Sequence, residues 1–115
     1  MNIKIKLHPN GKYTRELLLN KEIIRDMGVE KINIIFMSVY IDKYYKLHLL
    51  LSNKPLKTDK IIYDYRLNLT PPSPRSKQLR LRLKSLIIEL FKVNGEYAYL
   101  KRCICKNKVI YELIF

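Results

Sequence analysis

The sequence predicts an α+β fold, mostly β, in which two ββαββ units with two short helices make one small domain. Three observations lead there. Apolar and polar residues alternate over short runs bounded by turn signals. Two brief stretches carry helical spacing next to capping residues. The apolar skeleton of the first half also recurs in the second at a constant offset of 64 residues. The expected organisation is residues 1–52 as the first unit, 53–60 as a linker and 61–115 as the second unit, together one compact domain.

In the first half, Ile3, Ile5 and Leu7 alternate with Lys4 and Lys6, the pattern of a half-buried strand. His8-Pro9-Asn10-Gly11 follows, and Asn-Gly signals a tight turn, with Tyr13 to Leu19 as the returning strand. Asn20 suits an N-cap, Glu22 places an acid in the first turn, and Ile23, Ile24 and Met27 form an apolar helix side. Gly28 supplies the left-handed residue that ends the helix. Ile32–Ile41 and Tyr44–Leu51 read as strands around an Asp42-Lys43 turn, and Ser52–Lys60 is polar and contains Pro55.

In the second half, Ile61–Leu69 is extended, and Thr70-Pro71-Pro72-Ser73-Pro74 must be a loop because proline cannot donate to a ladder. Leu79, Leu81 and Leu83 alternate with Arg80, Arg82 and Lys84. Ser85 is placed to cap a helix through Leu86, Ile87, Leu90 and Phe91. Residues 76–92 also fit one amphipathic helix, but that leaves Leu81 and Ile88 on the wrong face, and the strand uses every leucine from 79 to 83. Tyr97–Cys105 and Lys108–Phe115 read as strands around Lys106-Asn107. At the offset of 64, Leu17 falls on Leu81, Leu19 on Leu83, Ile23 and Ile24 on Ile87 and Ile88, Val29 on Val93 and Leu49 on Leu113, with no gap needed from Leu17 to Leu51.

The 115 residues are enough to bury a core without metal or disulfides. Net charge is +13, a strong attraction to polyanions, and nucleic acid is the commonest polyanion for a small basic domain. Cys103 and Cys105 alternate along one strand, so they share a face; they read as small core residues and weakly favour a reducing compartment. The N-terminus has no apolar leader region and no run approaches a membrane span, so a cytoplasmic protein is expected.

Asn10-Gly11-Lys12, then Leu19-Asn20-Lys21-Glu22-Ile23-Ile24-Arg25-Asp26-Met27-Gly28-Val29, then a strand-turn-strand, resembles the SpoVT/AbrB-like family. Lys21-Glu22-Ile23 and Met27-Gly28-Val29 carry the match. Asn20 stands where the family usually has proline, and the second half keeps only the apolar skeleton. The resemblance covers residues 1–55 and, through the repeat, the whole chain. It implies a swapped-hairpin β-barrel, here as a tandem pseudo-dimer like the related MraZ proteins. It also implies DNA contacts from basic residues around the first hairpin and helix, where Lys12 and Arg25 stand.

The residues expected to contact nucleic acid are Lys4, Lys6, Lys12, Arg25, Arg75, Lys77, Arg80, Arg82 and Lys84. On a strand, Arg80, Arg82 and Lys84 would project from one face about 6.6 Å apart, close to two phosphate steps. Lys4, Lys6 and Lys12 make a second patch on the first hairpin, and Lys101 and Arg102 a third. Tyr13, Tyr40, Tyr44, Tyr45, Tyr97 and Tyr99 offer rings for base stacking, though tyrosine is favoured in strands anyway. With three glycines there is no phosphate-binding loop, and His8 and His48 stand in no metal-ligand spacing. No enzyme activity, cofactor or metal is expected. The expected function is a DNA-binding transcriptional regulator, with duplex DNA the favoured partner. The alternatives are RNA binding, or a phage- or mobile-element-type interaction module docking on an acidic protein or nucleoprotein. A monomeric pseudo-dimer and a homodimer are both compatible with the sequence.

Overall fold

The computed structural model describes residues 2–9 and 14–115, so the expected Asn10-Gly11 turn, Lys12 and Tyr13 lie outside the described residues. The elements run β1 (Asn2–Lys6), β2 (His8–Pro9), β3 (Arg15–Leu19), α1 (Lys21–Met27), β4 (Ile34–Ile41), β5 (Leu47–Ser52), β6 (Ile61–Asn68), β7 (Leu79–Leu83), α2 (Ser85–Leu90), β8 (Tyr97–Cys105) and β9 (Lys108–Ile114). This is a small, mostly β α+β domain. A six-stranded antiparallel sheet has the order β1-β8-β9-β5-β4-β6, and a three-stranded sheet the order β2-β3-β7. Among the described residues neither sheet closes on itself. Residues 76–92 form a strand and a short helix, not one long helix.

Local chemistry accounts for the first helix. Asn20 Oδ1 accepts from Ile23 N–H at 2.9 Å, and Gly28 ends the helix at φ 73°, its N–H returning to the Arg25 carbonyl. The second helix starts differently from the sequence reading. Lys84, not Ser85, is its N-cap, and no side chain caps it.

The chain order is palindromic across the large sheet. The first strand of the first half, β1, pairs with the second half's hairpin, and β6 pairs with the first half's hairpin. Two residue pairs separated by 64 positions meet directly: Leu17 opposite Leu81 in β3·β7, and Leu49 opposite Leu113 in β5·β9. The gap-free offset does not hold throughout, however. The β4·β5 loop spans five residues, 42–46, and the β8·β9 loop only two, 106–107. Buried Ile35 and Met37 answer buried Ala98 and Leu100, one residue out of step with the offset. The longer loop is built by Asp42, whose Oδ1 accepts from the N–H groups of Tyr44 and Lys46 at 2.8 and 2.9 Å. The shorter one places Lys106 and Asn107 at φ 50° and 64°, as a type I′ turn requires.

The first hairpin is also smaller than expected. The chain breaks strand at buried Leu7, whose N–H donates to Glu96 O at 2.7 Å, and among the described residues ahead of β3 only His8 and Pro9 pair with it. The apolar side of β1 is better covered on β8, where Ile3 and Ile5 lie opposite Leu100 and Ala98. The inner faces of both sheets then share one core with the helices, including Leu17, Leu19, Leu81, Leu83, Ile23, Ile87, Met37, Leu49, Leu100 and Leu113. Cys103 and Cys105 are not in it. Cys103 is half-buried and Cys105 exposed, because the β8·β9 tip runs past the core, as Ile104 at 64% exposure shows. No helix among the described residues is long and apolar enough to cross a membrane.

Candidate nucleic-acid interface

Strand alternation on β7 buries Leu79, Leu81 and Leu83 and turns Arg80 and Arg82 outward. Register places Leu18 opposite Arg80, Glu16 opposite Arg82, and His8 opposite Glu16, so these five residues make the outer face of the three-stranded sheet. Glu16 Oε2 lies 3.8 Å from Arg80 Nη1 and 3.7 Å from Arg82 Nε. The two arginines differ in availability. The Arg82 side chain is 60% exposed and the Arg80 side chain only 25%. Arg80 Nε is buried and makes no hydrogen bond within the described residues. Backbone bonds between Arg80 and Thr70 tie the preceding proline-rich loop to the strand, and that loop presents Arg75 and Lys77 to solvent.

Lys84 lies one residue past β7, and its Nζ sits 4.2 Å from the centroid of Tyr65, so it is engaged in a cation–π contact. Arg25, in the last turn of α1, is 61% exposed with Glu30 3.8 Å away. Lys4 and Lys6 are exposed on β1, in the other sheet from β3 and β7. They therefore lie off the β2·β3 hairpin, and Lys12, the third residue expected beside them, lies outside the described residues. They lie opposite Tyr99 and Tyr97 on the outer face of the large sheet.

The expected Lys101–Arg102 patch separates as well, because neighbouring strand residues face opposite ways. Lys101 joins Lys4 and Lys6, opposite Asn2. Arg102 turns to α1 and donates from Nε and Nη2 to the Asp26 carboxylate at 2.7 and 3.0 Å, and Tyr111 Oη donates to the same carboxylate at 2.5 Å. These bonds hold the Asp26 carboxyl below its ordinary range, while burial and the bond to Asp26 push the Tyr111 hydroxyl up to about 12. The group is a strut between β8, β9 and α1, with its charge internally balanced.

A second polar cluster was not foreseen. His48 Nδ1 lies 2.9 Å from Glu112 Oε2, and Nε2 lies 2.9 Å from Asp42 Oδ2. Bonds to Asp42 and Glu112 raise the His48 pKa, and the bond to His48 brings Asp42 down to about 2. His48 is thus favoured as a cation that bridges two carboxylates and fixes the β4·β5 loop to β9. The separation of His48 and Glu112 by 64 residues hides this pairing from any local motif.

Comparison with known proteins gives no match to a family model, to a curated protein or to a solved structure.

Proposed function

We propose that this protein binds nucleic acid, duplex DNA foremost, as a regulator of the SpoVT/AbrB-like kind, using the outer face of β2-β3-β7 and the loop ahead of β7. The observation that supports it most is exposed Arg82 on a face whose one acid among the described residues is Glu16, with Arg75 and Lys77 exposed on the loop that leads into the same strand. Arginine offers two parallel donors to a phosphate or to a guanine edge, so this surface suits both backbone positioning and base reading. The strand exchange between halves supports the swapped-hairpin reading: neither half covers its own sheet face, and each supplies a strand to the other's hairpin.

The test is titration of labelled duplex DNA, single-stranded DNA and RNA at low and physiological salt. Tight, salt-sensitive duplex binding that falls in an Arg75→Ala/Arg82→Ala variant supports the proposal, since both side chains are exposed and their loss leaves the core untouched. No binding to any of the three at physiological salt overturns it and directs the search to an acidic protein partner. RNA binding tighter than duplex binding and lost in the same variant reassigns the target of this face.

A further inference from the structure

We propose a second binding surface, for single-stranded nucleic acid, on the outer face of the β1·β8 corner. It lies on a different sheet from the duplex surface, and either can fail alone.

Tyr97 and Tyr99 are two residues apart on β8 and project from the same face, 44% and 40% exposed. Strand rise sets them about 6.7 Å apart. Lys6 lies opposite Tyr97, Lys4 opposite Tyr99, and Asn2 opposite Lys101, so three lysines frame the two rings. β1 is the edge of its sheet, and no strand among the described residues covers this corner from the far side. On the near side Ile114 lies opposite Tyr99 and Glu112 opposite Lys101, but the Glu112 carboxylate is taken by His48 at 2.9 Å. Glu96 is exposed just ahead of β8.

Aromatic rings alternating with cations on a flat sheet face match a chain that alternates bases and phosphates. A duplex cannot use the rings, because its bases are already stacked on one another; an unpaired strand can. The free protein shows half of the arrangement. Lys4 Nζ lies 4.1 Å from the Tyr97 centroid, occupying the ring face with its own cation. A base arriving on that face displaces the ammonium, and the adjoining phosphate receives it. Net charge of +13 supplies the long-range attraction. DNA and RNA single strands share this chemistry.

Because the chain has no tryptophan, a Tyr97→Trp variant carries a single reporter. The experiment adds short oligothymidylate or oligouridylate to that variant and follows quenching. In parallel, anisotropy of labelled strands and of a duplex is measured for the other variants. Expected results are quenching on addition of a single strand, and binding weakened about tenfold or more in Tyr97→Leu/Tyr99→Leu but retained in Tyr97→Phe/Tyr99→Phe. Leucine keeps the apolar cover without the ring, so a folding defect is separated from lost stacking. Lys4→Gln/Lys6→Gln/Lys101→Gln should flatten the salt slope for single strands by about 2. The leucine pair should leave duplex binding unchanged. The inference is overturned if the leucine pair binds single strands as tightly as the parent, or if their loss follows Arg82→Ala instead. It is also overturned if oligonucleotides fail to bind at physiological salt while duplex DNA does. Preference between the thymidylate and uridylate arms assigns DNA or RNA.

Discussion

Replacing Glu16 with Gln should tighten DNA binding, because it removes a negative charge from the proposed interface and keeps a polar side chain of the same shape. Glu16 Oε2 sits 3.8 Å from Arg80 Nη1 and 3.7 Å from Arg82 Nε, and so offsets one of two positive charges on the proposed duplex face. Both separations exceed hydrogen-bond length, and with Arg82 60% exposed its pair with Glu16 contributes about 1 kcal/mol or less to folding. The amide preserves shape and frees one positive charge for phosphate. One further phosphate contact steepens the dependence of log K on log salt by about 0.9. If that contribution vanishes near ~1 M salt, the contact is worth about eightfold in affinity at ~0.1 M. Anisotropy of a labelled duplex across a salt series measures both quantities. Asp59→Asn is the control, since Asp59 is exposed in the 53–60 linker and its loss raises net charge equally. An equal gain from Asp59→Asn would assign the effect to overall charge. An unchanged slope and affinity for Glu16→Gln would refute the placement of DNA on this face.

Further outcomes follow from the packing and the clusters. Leu81→Ala, at a fully buried position opposite Leu17, should lower stability by about 2–5 kcal/mol in urea titration. Asn20→Ala should lower it by about 1 kcal/mol through the lost cap, and Gly28→Ala by about 1–2 kcal/mol because φ is 73° there. The His48 cluster gives two pH limits. The raised folded-state pKa of His48 means its contribution is complete below its ordinary value of 6.5 and is lost as pH rises through the raised value. Asp42, lowered to about 2, contributes fully above 3.8 and loses that contribution as pH falls toward 2. Urea midpoints against pH should show both limbs, and His48→Gln should remove the one that begins above 6.5, leaving the separate loss above pH 10 that the raised Tyr111 hydroxyl gives; a limb between 6.5 and 10 that persists unchanged in this variant contradicts the assignment.

Elements whose cause is local could be read from the sequence. Asn20 and Gly28 bracket α1 where capping chemistry places them, and the leucines at 79, 81 and 83 settle strand over helix because only a strand buries all three. What depends on distant partners could not be read. β1 alternates well enough to be a strand in any sheet, and its sequence does not say that β8 is its neighbour. Hence the sequence puts Lys4 and Lys6 on the first hairpin, and although it offers Tyr97 and Tyr99 as stacking rings, it does not place them beside those lysines. Cys103 and Cys105 share a face as alternation required, but which face, and how far the hairpin overruns the core, follows from the length of β9 and the two-residue loop. The His48 bridge joins the turn acid Asp42 to Glu112, which lies 64 positions beyond His48, a separation no motif spans.

Strand order obeys the two-fold pattern and charge does not, which predicts the shape of the DNA target. The buried face constrains both halves alike, since Leu17 and Leu81 must fill the same space from either side. The outer face carries no such constraint. At the 64-residue offset, Arg75, Lys77, Arg80, Arg82 and Lys84 correspond to Gly11, Tyr13, Glu16, Leu18 and Asn20, none of them basic. Proteins with two equal reading surfaces favour palindromic sites, because operator symmetry mirrors protein symmetry. Here both halves build the proposed face, but its basic residues come from the second half alone and the first half contributes Glu16, so one copy presents one basic reading surface. Selection from a random duplex pool should therefore return an asymmetric site, with one copy of the protein bound per site by stoichiometric titration. A palindromic site bound by one copy would require equal contacts from the first half, and would show that DNA does not lie on the Arg82 face. A palindrome bound by two copies would instead keep the face and add a dimer.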